Sequence, residues 1–156
     1  MTTRAELSET AEDANSHTRL MRAALEGDTK TVERLLATGS DVNARDNKGC
    51  RPLMFAVINR HAETTRKLID HGADVNATAE NGGTALLLAA TSGDAEIVRD
   101  LLAAGADLSG RYRQSGETAL LLAKRNKHAE VVELLERAKK NQATKQPPAG
   151  SARTTQ

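Results

Sequence analysis

The chain has 156 residues with 22 basic and 21 acidic side chains, a formal net charge of +1, so it is sized for one domain and has no overall field to draw it to nucleic acid or a membrane surface. A single cysteine excludes an internal disulfide, and Phe55 and Tyr112 are the only aromatic residues, which leaves a core of Leu, Val, Ile and Ala suited to close-packed helices. The longest apolar runs, 85–90 and 119–123, are too short to span a bilayer, and the start "MTTRAELSETAEDANSHTRL" lacks an apolar leader segment. These features predict a soluble, cytoplasmic protein with no membrane contact.

In chain order, residues 1–16 are polar and acidic, with Arg4 against Glu6, Glu9, Glu12 and Asp13. They are expected to be disordered, or to form a short capping helix around Ser8, Glu9 and Glu12. An alanine-rich amphipathic stretch follows, "LMRAALEGD" (20–28), then a second, "TKTVERLLATG" (29–39), and a polar connector that begins Gly39-Ser40-Asp41-Val42. The same order returns with "LMFAVINRH" (53–61), "AETTRKLIDHG" (62–72) and Gly72-Ala73-Asp74-Val75. It returns again with "LLLAATSGD" (86–94), "AEIVRDLLAAG" (95–105) and Gly105-Ala106-Asp107-Leu108. The last copy is "LLLAKRNKH" (120–128) with "AEVVELLERA" (129–138), and the connector phrases recur every 33 residues. Val32, Leu35 and Leu36, like Ile97, Leu101 and Leu102, are spaced for one helical face. Each unit therefore reads helix, turn, helix, connector. Two short helices cannot bury their apolar faces alone, so the fixed period predicts a solenoid in which stacked units share one core. Ala23, Ala24, Ala56, Ala89 and Ala123 are the spacers that allow close helix approach. Residues 141–156, "NQATKQPPAGSARTTQ", have two prolines and no apolar period and are read as a disordered basic tail.

At these residues the sequence resembles the ankyrin repeats: "GSDVNA" (39–44), "GADVNA" (72–77), "GDAEIVRDLLAAGAD" (93–107) and "DNKGCRPL" (46–53) are similar to that family's consensus. The resemblance covers about residues 18–138. It implies an all-α solenoid of stacked antiparallel helix pairs with β-hairpin-like finger loops and a concave binding face. The domain is placed at 17–140, with repeats about 18–50, 51–83, 84–117 and 118–140. The family's TPLH tetrapeptide reads "RPLM" (51–54), "TALL" (84–87) and "TALL" (118–121), so an apolar contact is expected where the histidine would bond. Gly27 and Gly93 are predicted to close their inner helices in the left-handed conformation. Arg60 and Lys127 stand at the same position, at a cost of about 1–2 kcal/mol each unless Asn59 and Asn126 shift the cap. The connector "GADLSGRYRQSGET" is one residue longer than "GADVNATAENGGT", which predicts a bulged third finger.

Chemistry is sparse. His61 and His128 follow inner helices, His71 ends an outer helix and His17 precedes the first, all at structural positions. No clustered ligand set suggests a metal. "NGGT" (81–84) lacks phosphate-loop spacing, and Asp94, Glu96, Glu130 and Glu133 suit helix starts. No catalytic residue, cofactor, metal or small-molecule substrate is predicted, and the chain is read as a non-enzymatic monomer that binds a protein.

By resemblance, finger tips and the exposed face of the inner helices carry the partner. The matching residues are Asn47, Lys48 and Cys50 in the first finger, and Glu80, Asn81 and Gly83 in the second. The third finger offers Arg111, Tyr112, Arg113, Gln114 and Glu117, over a floor of Ile58, Asn59, Thr91, Ser92, Arg125 and Asn126. Arg111, Arg113, Lys124 and Arg125 gather around the one tyrosine, the residue types enriched at interface hot spots, which implies an acidic patch on the partner. Two other readings stand beside this one: a nucleic-acid role for the basic tail and the Arg111–Arg125 cluster, and a redox-responsive adaptor centred on Cys50.

Overall fold

A computed structural model describes residues 17–145. Residues 17–26 are helical (α1), so His17 lies inside the first helix rather than before it. There follow α2 (Thr29–Ala37), α3 (Pro52–Ile58), α4 (Ala62–Asp70), α5 (Ala85–Ser92), α6 (Ala95–Ala103), α7 (Ala119–Arg125) and α8 (Ala129–Lys145). The described residues form an all-α solenoid of four helix pairs. The inner helices α3, α5 and α7 pack in one row, the outer helices α2, α4, α6 and α8 in another, and each inner helix packs on its own outer one.

Local chemistry starts and stops each helix. Asp28 and Asp94 accept the amides of Thr31 and Ile97, each at 3.1 Å, at the heads of α2 and α6. Thr84 and Thr118 accept those of Leu87 and Leu121 at 3.2 and 3.4 Å, each satisfying one of the amides a helix leaves unpaired at its start. Arg51 makes no such bond at the head of α3, and Pro52 opens that helix instead, where its missing N–H costs nothing. The inner helices end in the left-handed region at all three complete junctions and at the last. Gly27 has φ +71° and Gly93 +76°, but Arg60 and Lys127 also hold +61° and +59°. Asn59 and Asn126 keep φ at −96° and −86° and do not take over the cap.

What holds Asn59 and Asn126 is a bond to the previous repeat. Their side-chain amides donate to the carbonyls of Leu25 (2.7 Å) and Thr91 (3.1 Å). Beside them, Nε2 of His61 and of His128 lies 3.0 Å from the same two carbonyls. The histidine rings cover Gly27 and Gly93 so closely that a Cβ on either glycine would overlap the ring. His71 lies with Nδ1 2.8 Å from the Lys67 carbonyl at the end of α4.

One continuous core runs through the stack, from Leu20 and Val32 through Leu53, Leu68, Leu86 and Leu101 to Leu122 and Leu135, with the alanine spacers all buried. Burial of each such leucine is worth about 1.5–3 kcal/mol. Met54 and Leu87 are buried where the family histidine would stand, but Leu121 at the same position is 53% exposed.

The connector phrases have a physical task. Asn43 donates to the carbonyl of Gly72 (3.1 Å) and accepts the amide of Asp74 (2.8 Å). Asn76 repeats both bonds to Gly105 (3.1 Å) and Asp107 (2.7 Å). Each asparagine staples its phrase to the next one. The third phrase has Ser109 there, bonding only to its own Asp107, and no fourth phrase follows. In its place α8 runs on to Lys145. The boundary expected at 140 falls inside this helix, and residues 141–145 are helical rather than tail. The rest of the expected tail, 146–156, and the acidic segment 1–16 lie outside the described residues.

Candidate partner-binding face

Each connector ends in a finger whose closure is a backbone bond across its base. Asp46 N donates to Cys50 O (3.0 Å) and Ala79 N to Gly83 O (2.9 Å), while in the third finger Tyr112 N reaches Glu117 O (3.2 Å), one residue further on. The inserted residue therefore widens the third finger, as its length predicts. Asp46 braces the first finger by accepting the amides of Lys48 and Cys50 at 2.9 and 2.8 Å. Adjacent fingers are tied to one another by Glu80 N to Lys48 O (3.0 Å) and Arg113 N to Asn81 O (2.9 Å). A Cβ at Gly82 would stand 2.7 Å from the Arg111 carbonyl, so only glycine lets the second and third fingers meet.

The fingers and inner helices enclose an apolar pocket of about 200 Å³, with Met54, Phe55, Ile58 and Leu88 from the helices and Cys50, Ala79, Asn81, Gly83 and Tyr112 from the fingers. Tyr112 is half-buried as its outer wall, its ring against Gly83. Burial pushes the Tyr112 phenol above its ordinary pKa; a hydrogen bond with Thr91 opposes this and the charge of Glu117 adds to it. Ile58 is 52% exposed at the pocket mouth. Its counterparts in the other repeats are Leu25, Thr91 and Arg125, so the floor grades from apolar to cationic along the stack.

The structure brings Cys50, Ile58, Asn81 and Tyr112 together at one pocket. Lys48, Arg111 and Arg113 are exposed on the fingers and form no salt bridge among the described residues, and Asn47, Glu80 and Gln114 are exposed there too. Other expected site residues are already engaged. Arg125 is paired with Glu117, and Lys124 with Glu136 at 2.8 Å, so two of the four cations around Tyr112 are neutralised. Asn59 and Asn126 use their amide groups in the repeat-to-repeat bonds above. Thr91 and Ser92 donate back to the carbonyls of Leu87 (2.8 Å) and Ala89 (3.1 Å). Cys50 is partly buried, and burial, then the nearby Asp46 carboxylate, raises its thiol pKa; a protonated thiol is a poor redox centre. The sequence reading did not single out Met54, Phe55 and Leu88 as site residues, nor Leu25 and Leu121, which are exposed at 37% and 53%. Their positions relative to Ile58 in the repeat were the available signal.

A family model described as "Ankyrin repeats (3 copies)" matches residues 20–112 and 78–146. The chain belongs to the ankyrin-repeat family, whose members are generally protein–protein interaction modules and typically not enzymes. No curated protein matches it. Among the described residues no helix is long and apolar enough to cross a membrane.

Proposed function

We propose that this chain is a non-enzymatic adaptor or regulator that binds a protein partner across its fingers and inner helices. The observation that carries this reading is the apolar pocket walled by Tyr112 and Leu88, with Ile58 at its mouth, on fingers that also expose Lys48, Arg111 and Arg113, none of which has a salt bridge among the described residues. A partner would seat an apolar side chain in the pocket and set acidic residues against the arginines. Tyrosine and arginine around a desolvated centre have the composition of a binding hot spot. The fingers are bonded to one another and to the helices before any partner arrives, so little ordering entropy opposes association. The pairing of Arg125 and Lys124 with carboxylates leaves less free positive charge for nucleic acid, and the raised Cys50 pKa weighs against a redox role.

The test is a pull-down from nuclease-treated source-cell lysate, with the native chain beside an Ile58→Glu variant and a Tyr112→Ala/Arg113→Ala variant of confirmed fold. A protein retained by the native chain and lost with both variants supports the proposal. Equal retention by all three moves the site off this face, and recovery of nucleic acid alone overturns the reading.

A further inference from the structure

The contacts between outer helices follow one register. The fifth residue of each helix faces the second and sixth residues of the next. Glu33 in α2 meets Lys67, sixth in α4, at 2.7 Å. Arg66 in α4 meets Glu96 and Asp100, second and sixth in α6, at 2.7 and 3.3 Å. Arg99 in α6 pairs with Glu130, second in α8. The inner row has its own register, in which the left-handed residue that ends one inner helix faces the residue after the corresponding position in the next repeat. Gly27 lies under His61 and Gly93 under His128, while Arg60 pairs with Asp94 at 3.3 Å.

At the C-terminal end of the stack both registers are left open. Glu133 is the fifth residue of α8 and Lys127 is the left-handed residue after α7; among the described residues neither has a salt bridge. At the other end, among the described residues, the corresponding acceptors have no repeat before them. They are Lys30 and Arg34, second and sixth in α2, and Asp28. Glutamate occupies the second position in α4, α6 and α8 (Glu63, Glu96 and Glu130), and each would repel Glu133. Only α2 presents lysine and arginine to it. Lys127 against Asp28 would likewise reproduce Arg60 against Asp94. The open end is also apolar: Leu121 is 53% exposed and Leu120 and Val132 are partly so, whereas their counterparts Leu87, Leu86 and Val98 are buried by the repeat that follows.

We propose that the last repeat receives the first repeat of a second copy of this chain, head to tail. Glu133 then faces Lys30 and Arg34, Lys127 faces Asp28, and Leu120 and Leu121 are covered. The contact is heterologous, so it propagates into short chains unless a ring closes. It lacks the asparagine staple, because Ser109 ends the series and no phrase follows α8. Arg22, where the other inner helices have Phe55, Leu88 and Leu122, also makes the first repeat more polar than the internal ones. The association is therefore reversible and weaker than the stacking within one chain. The surface involved is the end of the stack, which leaves the finger face open.

Sedimentation velocity on the full chain, from micromolar to millimolar concentration at low and high salt, tests this directly. The expected result is a mass that rises with concentration and falls with salt, since exposed pairs are screened. Glu133→Arg, and separately Lys30→Glu/Arg34→Glu, place like charges at the junction and weaken association about tenfold or more. An equimolar mixture of the two variants restores it, because every junction in the mixture can again be complementary. Lys127→Glu gives an independent weakening should either of those chains lose its native circular dichroism. A monomer under all conditions overturns the proposal, as does association unaffected by any of these variants or a mixture that fails to regain it.

Discussion

Gly93→Ala tests whether the histidine on the next repeat, and not backbone geometry alone, makes glycine necessary at the junctions. Gly93 has φ +76°, which costs an alanine about 1–2 kcal/mol. The new Cβ would also overlap the His128 ring, and moving the ring breaks its 3.0 Å bond to the Thr91 carbonyl. That loss adds about 1 kcal/mol, with some packing besides, for a total of about 2–4 kcal/mol. In a His128→Ala background the obstruction is gone, and only the backbone cost of about 1–2 kcal/mol remains. Gly105→Ala is the control: φ is +89° and nothing lies within 4 Å of its Cβ position. Urea unfolding followed by circular dichroism, compared at equal m-values, measures all three. The coupling between positions 93 and 128 is expected at about 1–2 kcal/mol. Additive costs, or equal losses for Gly93→Ala and Gly105→Ala, would refute the reasoning.

Asn76→Ala removes both staple bonds and is expected to cost about 1–3 kcal/mol in the same assay, while Ser109→Ala costs about 0.5 kcal/mol or less, because no phrase follows it. Lys127→Gly relieves a left-handed lysine and stabilises the chain by about 1 kcal/mol; a loss would mean that the side chain is engaged. Tyr112 is the only tyrosine, so ultraviolet titration reads it alone: its ionisation is expected above the free-tyrosine range in the folded chain and within that range in urea. Because burial raises the folded pKa, this contribution to stability is complete below about pH 10 and is lost as pH rises through the folded value. Cys50 is expected to react with a disulfide reagent at neutral pH more slowly in the folded chain than in the unfolded one, and the reverse order would revive a redox role.

The period of 33 residues carried most of the fold. Helix faces, alanine spacers and the connector phrase all repeat with it, and a period can be read without coordinates. What it hid lies in the departures from strict repetition. Gly27-Asp28, Arg60-His61, Gly93-Asp94 and Lys127-His128 alternate, and the alternation has meaning only once each pair is set against the next repeat. The change from Asn43 and Asn76 to Ser109 likewise marks the end of the phrase series. The finger residues around the pocket were accessible in part. Tyr112 and Ile58 stood out by residue type and position, whereas Met54, Phe55 and Leu88 have the pattern of core side chains and only the fingers' positions reveal the opening above them. Pairing of Arg125 with Glu117, eight residues apart from the end of α7 back to the residue before its cap, has no local pattern by which a sequence could show it.

The most direct test of the binding face is site-specific photocrosslinking in the source cell. A photoreactive residue is placed at position 58, at the mouth of the pocket, and in a second chain at position 70, exposed on outer helix α4. A discrete protein adduct at position 58 that is absent at position 70 is the expected result. An adduct formed at position 70 and not at position 58 would place the partner on the opposite face and contradict the account.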